Sequence, residues 1–241
     1  MKLQKKQENQ IIFNAEINES LANAIRRYIN QIPTLAIESV EISKNDSPLY
    51  DETIAHRLGL IPLESSKISP KSKEIKLKLS SKKEGPVYSE ELKGIIQPAH
   101  NKIPISDLKR GQELEFVATT QTGKGKEHSK FTPGLMFYRN IFDIKVDRNC
   151  PTEIVDICPL KVFSSENGKI KIQNSEKCDE CGICLEYFKK QGKELININP
   201  TNELLITLES FGHLPCEDIF KKSIEILKKG LAEVGKKISK E

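Results

Sequence analysis

Three cysteines fall within seven residues, Cys178-x2-Cys181-x2-Cys184, and no other feature of this sequence restricts its fold as tightly. The three thiols share one tight loop, and Gly182 between the last two lets backbone N–H groups approach sulfur with no side chain in the way. Three ligands on one loop suit a cubane cluster. A bacterial ferredoxin run would continue with a Cys-Pro four residues on, but that position is Phe188, so a fourth ligand must come from elsewhere. In two-cluster ferredoxins the Cys-Pro of one run ligates the other cluster, and Cys158-Pro159 lies upstream here with no triplet of its own. Cys158, Cys178, Cys181 and Cys184 are therefore expected to form one complete site for a [4Fe–4S] cluster, with a [3Fe–4S] form arising through oxidative loss of one iron. Zinc is the alternative metal, although structural zinc sites usually draw on separated pairs. Disulfides or free thiols are the remaining reading of these cysteines. Cys150-Pro151 is a rival for the fourth ligand, and Cys216 reads as a buried small hydrophobe.

Six cysteines in 241 residues are too sparse for a disulfide scaffold, and their crowding points to ligation in a reducing compartment, with the cytoplasm as the expected address. The net charge is +4; the length of 241 residues predicts one or two domains, and a hydrophobic share of 37% predicts a core of modest size. No apolar run approaches the roughly 18 residues that cross a bilayer. The N-terminal Met1-Lys2-Leu3-Gln4-Lys5-Lys6 leads into polar sequence, so the expectation is a soluble chain with no signal peptide and no membrane partner.

Along the chain, Ile11, Phe13, Ala15 and Ile17 alternate as in a half-buried strand. A helix follows, capped by Ser20, with Leu21, Ala24, Ile25 and Tyr28 on one face and Pro33 as its limit. Leu35 to Ile42 reads as a second strand, and Asp51-Glu52 opens a short helix carrying Ile54 and Leu58 before Gly59. From Ser65 to Gly94 the composition shifts to Lys and Ser, with Ile75, Leu77 and Leu79 alternating as in an edge strand. Strand-like pieces recur at 114–118 and 136–146, separated by Gly123-Lys124-Gly125-Lys126, which is flexible by composition. Glu203 to Leu208 alternates once more. The last helix carries Phe220, Ile224, Leu227, Leu231, Val234 and Ile238 in steps of four and three, a heptad seam. That seam suits packing on the protein's own sheet or on a second chain.

Catalytic residues are not evident. The sequence has no Gly-x4-Gly-Lys-[Ser/Thr] loop, no Gly-x-Gly-x-x-Gly after a strand and no His-Glu-x-x-His, and its four histidines are scattered. The Lys-rich stretch 67–93 invites a nucleic-acid reading, but Tyr88 is its only aromatic, so stacking platforms are absent and a solvated strand edge is the simpler account. An electron-transfer role would need an acceptor motif, and no flavin or nicotinamide signature is present.

Several stretches carry a resemblance: Asn23-Ala24-Ile25-Arg26-Arg27, Pro33-Thr34-Leu35-Ala36-Ile37-Glu38, Asp51 through Leu63 with its His56-Arg57-Leu58-Gly59-Leu60-Ile61-Pro62-Leu63 run, and Gly212-His213-Leu214-Pro215. Together they resemble the larger alpha-like subunit of archaeal DNA-directed RNA polymerase, a family similar to the third-largest subunit of eukaryotic RNA polymerase II and to the N-terminal domain of the bacterial alpha subunit. The resemblance implies an α+β fold in three parts: a split dimerisation domain at 1–40 plus 200–241, a β-rich insertion domain at 41–148 plus 193–199, and a ferredoxin-like domain at 149–192. It further implies a non-catalytic assembly subunit that heterodimerises with a small alpha-like subunit, called L in archaea, as the platform for the large subunits. DNA is then met only through the complex. The expected pairing surface joins Leu21, Ile25 and Tyr28 to Phe220, Ile224, Leu227, Leu231, Val234 and Ile238. Some members of the family carry a cubane cluster with a four-cysteine pattern like Cys158, Cys178, Cys181 and Cys184.

Overall fold

The computed structural model describes residues 1–65, 74–166 and 168–239. In chain order its elements are β1 (Lys2–Lys6), β2 (Gln10–Ala15), α1 (Glu19–Ile29), β3 (Pro33–Asn45), α2 (Asp51–Gly59), β4 (Lys76–Ser81), β5 (Gly85–Tyr88), β6 (Pro104–Leu108), β7 (Leu114–Lys124), β8 (Gly134–Val146), α3 (Ile154–Ile157), β9 (Phe163–Glu166), β10 (Lys169–Ile172), α4 (Ile183–Lys190), β11 (Ile196–Ser210) and α5 (Cys216–Ile238). The architecture is α+β, with sheets in the orders β1-β2-β11-β8, β3-β7-β4, β5-β6 and β10-β9. Strands from the beginning and from near the end of the chain are thus neighbours in one sheet. Among the described residues no helix is long and apolar enough to cross a membrane.

The chain divides into two compact units. The first consists of Met1–Lys6, Ile12–Ala22 and Phe137–Thr207, and it contains the whole of 149–192. Its interior gathers Phe142 and Ile144 of β8, Ile154 of α3, Val162, Phe163, Phe188 of α4 and Ile196 of β11 around Cys150, Cys178 and Cys184. This is a thin core. The Tyr187 hydroxyl donates to Glu153 Oε2 at 2.8 Å, tying α4 to the chain just before α3.

The second unit consists of Gln7–Ile11, Asn23–Met136 and Leu208–Glu241. Ile54 and Leu58 of α2 pack with Leu35 and Ile37 of β3, Leu77 and Leu79 of β4 and Phe116 of β7, all fully or almost fully buried. Each such leucine or isoleucine contributes about 1.5–3 kcal/mol by leaving water. β4 is an edge strand, as its alternation predicts, and its leucines belong to the main core of this unit. The part of the Lys-rich stretch at 66–73 lies outside the described residues.

Several local expectations are corrected. The cap of α1 is Asn18, not Ser20: Asn18 Oδ1 accepts from the Leu21 N–H at 2.8 Å, and its carbonyl accepts from Ala22. The helix begins two residues earlier than a Ser20 cap would place it, and Ala22, Ile25 and Ile29 face inward while Leu21 is exposed. β1 had no apolar signal, because every residue of this edge strand is solvent-facing. Gly123-Lys124-Gly125-Lys126 is no flexible linker. A Cβ on Gly123 would lie 2.5 Å from the Phe131 ring and one on Gly125 would lie 2.7 Å from Thr132 Oγ1, so these glycines admit close packing.

Candidate functional site

Five of the six cysteines lie in the first unit, and the four expected ligands are among them. Cys158 follows the single turn of α3, its N–H bonded to the Ile154 carbonyl at 3.1 Å. Cys178 ends a short 3-10 turn at Ser175–Lys177, and Cys184 lies in the first turn of α4. Between them the loop takes positive φ at Glu180 (58°) and Gly182 (76°). Glycine adopts that conformation freely, whereas glutamate does so at a cost. The Cys181 N–H is fixed by Asp179 Oδ1 at 3.2 Å. Cys178 and Cys184 are buried, Cys158 is half-buried and Cys181 faces solvent.

Burial pushes the Cys178 and Cys184 thiols up from their ordinary range, while the N–H groups of Glu180 and Leu185 pull in the other direction by favouring thiolate. Cys184 is raised further by the sulfurs of Cys158, Cys178 and Cys181, and Cys178 by those of Cys181 and Cys158. The four thiols therefore share one electrostatic neighbourhood. Cys150 stands apart: burial and Asp147 raise its thiol, and no cysteine contributes. All six cysteines are free, and Cys216 is buried with its thiol directed at the Leu208 carbonyl. Among the described residues no group of three or more His, Cys, Asp or Glu side chains is drawn together closely enough to hold a single ion. As a donor set, four soft thiols with backbone N–H groups aimed at two of them fit an iron–sulfur cluster or zinc.

The second feature is α5. Its first half packs on its own unit, with Cys216, Ile219, Ser223 and Leu227 inward. Phe220 and Ile224 are half-buried. Beyond Gly230 the helix is uncovered, and Leu231, Val234 and Ile238 are 62%, 54% and 69% exposed. Of the α1 residues expected beside them, Ile25 is buried in the chain's own interior and Tyr28 is half-buried against Gly230, whereas Leu21 belongs to the first unit. Gly230 was not anticipated, although a glycine inside a heptad seam is itself a signal of close approach. The helix α4 was not anticipated either, and the i, i+4 spacing of Cys184 and Phe188 was the available sign.

The chain is thus an α+β protein whose first strands share a sheet with β11 and whose last helix leaves an apolar stripe exposed. Residues 40–136 match the family model of the RNA polymerase Rpb3/RpoA insert domain. DNA-directed RNA polymerase subunit Rpo3 of Thermococcus kodakarensis is 34% identical over 227 residues, covering 88% of this chain and 86% of that protein. Rpo3 of Pyrococcus furiosus is 32% identical over 241 residues, 93% of this chain and 91% of that protein. RNA polymerase II subunit rpb3 of Dictyostelium discoideum is 32% identical over 270 residues, 93% of this chain and 88% of that protein. The chain belongs to the Rpb3/RpoA family of DNA-directed RNA polymerase subunits, whose members are named Rpo3 in archaea and Rpb3 in eukaryotes.

Proposed function

We propose that this polymerase subunit is a non-catalytic assembly factor, which pairs through the end of α5 with a small alpha-like subunit to form the platform for the two large subunits. Nucleotide addition then belongs to the large subunits, DNA is met only through the complex, and the work is done in the cytoplasm. The observation that carries the reading is the apolar stripe Leu231, Val234 and Ile238, which the chain leaves in water. Exposed apolar surface of this kind marks an interaction site. Leu231→Asp with Val234→Asp is expected to abolish pairing on co-expression with the small alpha-like subunit. Because neither side chain is buried, the variant keeps its own fold, and co-elution at undiminished affinity would show that the face is misassigned.

The same proposal assigns Cys158, Cys178, Cys181 and Cys184 to a structural [4Fe–4S] cluster, supported by their shared neighbourhood and by the N–H groups of Glu180 and Leu185. When bound, the cluster supplies bonds that tie the residue after α3 to the loop before α4, and in a unit with so thin a core metal binding becomes folding free energy. The chain's own part is to bring four thiols into one neighbourhood, with Gly182 and Glu180 shaping the loop. Metal analysis of protein purified without oxygen tests this: zinc near one per chain with negligible iron and sulfide overturns it.

A further inference from the structure

The outward face of β4 holds a row of lysines. The Lys78 N–H donates to the Lys93 carbonyl and the Lys93 N–H to the Lys78 carbonyl, each at 2.8 Å. Residues paired in this reciprocal way project their side chains to the same face, and like charges placed directly opposite repel. Lys76, two residues before Lys78, shares that face, and all three lysines are exposed while Leu77 and Leu79 turn inward. The same-face partners of Lys76 and Lys78 on β7 are Thr119 and Val117, which carry no charge. Glu115 stands opposite Ser80 further along, and Glu41 lies beyond Val117 on β3. Among the described residues no ion pair joins either to these lysines.

The backbone segments that bear Lys78 and Lys93 are held together. A Cβ on Gly94 would lie 2.4 Å from Leu77 Cδ2, so the segment bearing Lys93 is pressed directly onto β4. One residue further, Ile95 is 90% exposed, within two residues of Lys93.

We infer that the face formed by Lys76, Lys78 and Lys93, together with Ile95 two residues further along the segment that bears Lys93, is a docking surface for an acidic protein segment that carries an apolar side chain. Carboxylates answer the three cations and the apolar group covers Ile95, so the cations and the exposed isoleucine are the two recognition elements. Charge complementarity alone would also admit a nucleic-acid backbone. Phosphates, however, leave Ile95 in water, and none of the outward residues Lys76, Lys78, Ser80, Glu115, Val117 and Thr119 is aromatic, so bases have nothing to stack on.

The test uses the full chain, a fluorescein-labelled peptide of repeating Glu-Glu-Leu, and a mixed-sequence duplex DNA, each titrated by fluorescence anisotropy at about 0.15 M salt, where exposed charges more than about 8 Å apart are screened. The peptide is expected to bind more tightly than the duplex. Lys78→Glu with Lys93→Glu should weaken peptide binding at least about tenfold, and Ile95→Ser should weaken it several-fold while leaving the duplex unaffected. Reversing Lys189 and Lys190 on α4 by the same charge should change it less than about twofold. Lys93→Glu alone should also raise the melting temperature by about 1–3 °C, by turning the opposed pair attractive, which shows that the variant is folded. Peptide affinity indifferent to Lys78 and Lys93, equal loss from the α4 reversal, or no peptide binding at all overturns the inference. Tighter binding of the duplex, insensitive to Ile95→Ser, overturns it in favour of nucleic acid.

Discussion

A Cβ added to Gly230 in α5 would lie 2.8 Å from the hydroxyl oxygen of Tyr28 in α1. The tip of the tyrosine therefore rests on bare helix backbone, which is why a residue with poor helix propensity sits in the middle of the longest helix. Gly235, five residues on, has nothing within 4 Å of the same position. Gly235→Ala should raise stability by about 0.5–1 kcal/mol, the usual gain for a helix interior. Gly230→Ala should instead lower it by about 1 kcal/mol, and adding Tyr28→Phe should restore most of that loss. Urea unfolding of the four variants checks the order. A stabilising Gly230→Ala would mean the helices do not cross so closely.

Leu227 and Leu231 are one turn apart on α5, yet Leu227 is buried and Leu231 is mostly exposed. Leu227→Ala should cost the isolated chain about 2–3 kcal/mol, whereas Leu231→Ala should change its stability by less than about 0.5 kcal/mol. Pairing with the small alpha-like subunit should show the opposite ranking. Equal effects of both substitutions on the isolated chain would place Leu231 in the chain's own interior.

Cys150 and Cys158 each precede a proline, but only Cys158 shares the electrostatic neighbourhood of the triplet. Cys158→Ala should strip iron and sulfide from anaerobically purified protein and leave residues 149–192 open to protease. Cys150→Ala should keep the iron, with only the modest destabilisation of a small buried side chain. Iron lost from Cys150→Ala and retained in Cys158→Ala would exchange their roles.

His213 is buried, with burial pushing its imidazole down from 6.5 to about 4 against the smaller opposing pull of the Leu63 and Lys130 backbones. Among the described residues its Nδ1 has no hydrogen-bond partner. Below pH 6.5 the unfolded chain takes up a proton that the folded chain refuses until about pH 4, so the neutral ring's contribution is complete above 6.5. It is lost progressively as the pH falls toward 4, by about 3 kcal/mol in all. Glu113, held down to about 2 by hydrogen bonds from Lys44 and Lys82, loses its own contribution between 4.5 and 2, a lower window. Stability measured from pH 7 to 4 should therefore fall in wild type, and His213→Asn should flatten the slope whatever its absolute stability.

Elements governed by near neighbours were legible in the sequence. The alternation of Leu77 and Leu79, the Ile54 and Leu58 pair of α2, the heptad of α5 and the clustering of three thiols on one loop all follow from spacings of two to four residues, over which backbone geometry acts directly. The tertiary structure decided what distant segments do to those elements. It separated Cys158 from Cys150 as neighbour of the triplet, set the inward face of α1 on Ala22, Ile25 and Ile29, and turned the apparent linker at Gly123 into a seat for the Phe131 ring. It also divided α5 into a covered half and a bare one, though the apolar pattern runs unbroken through both. Periodicity states which residues share a face of a helix. Whether that face meets the protein's own core or water depends on segments more than a hundred residues away, whose approach no local pattern encodes.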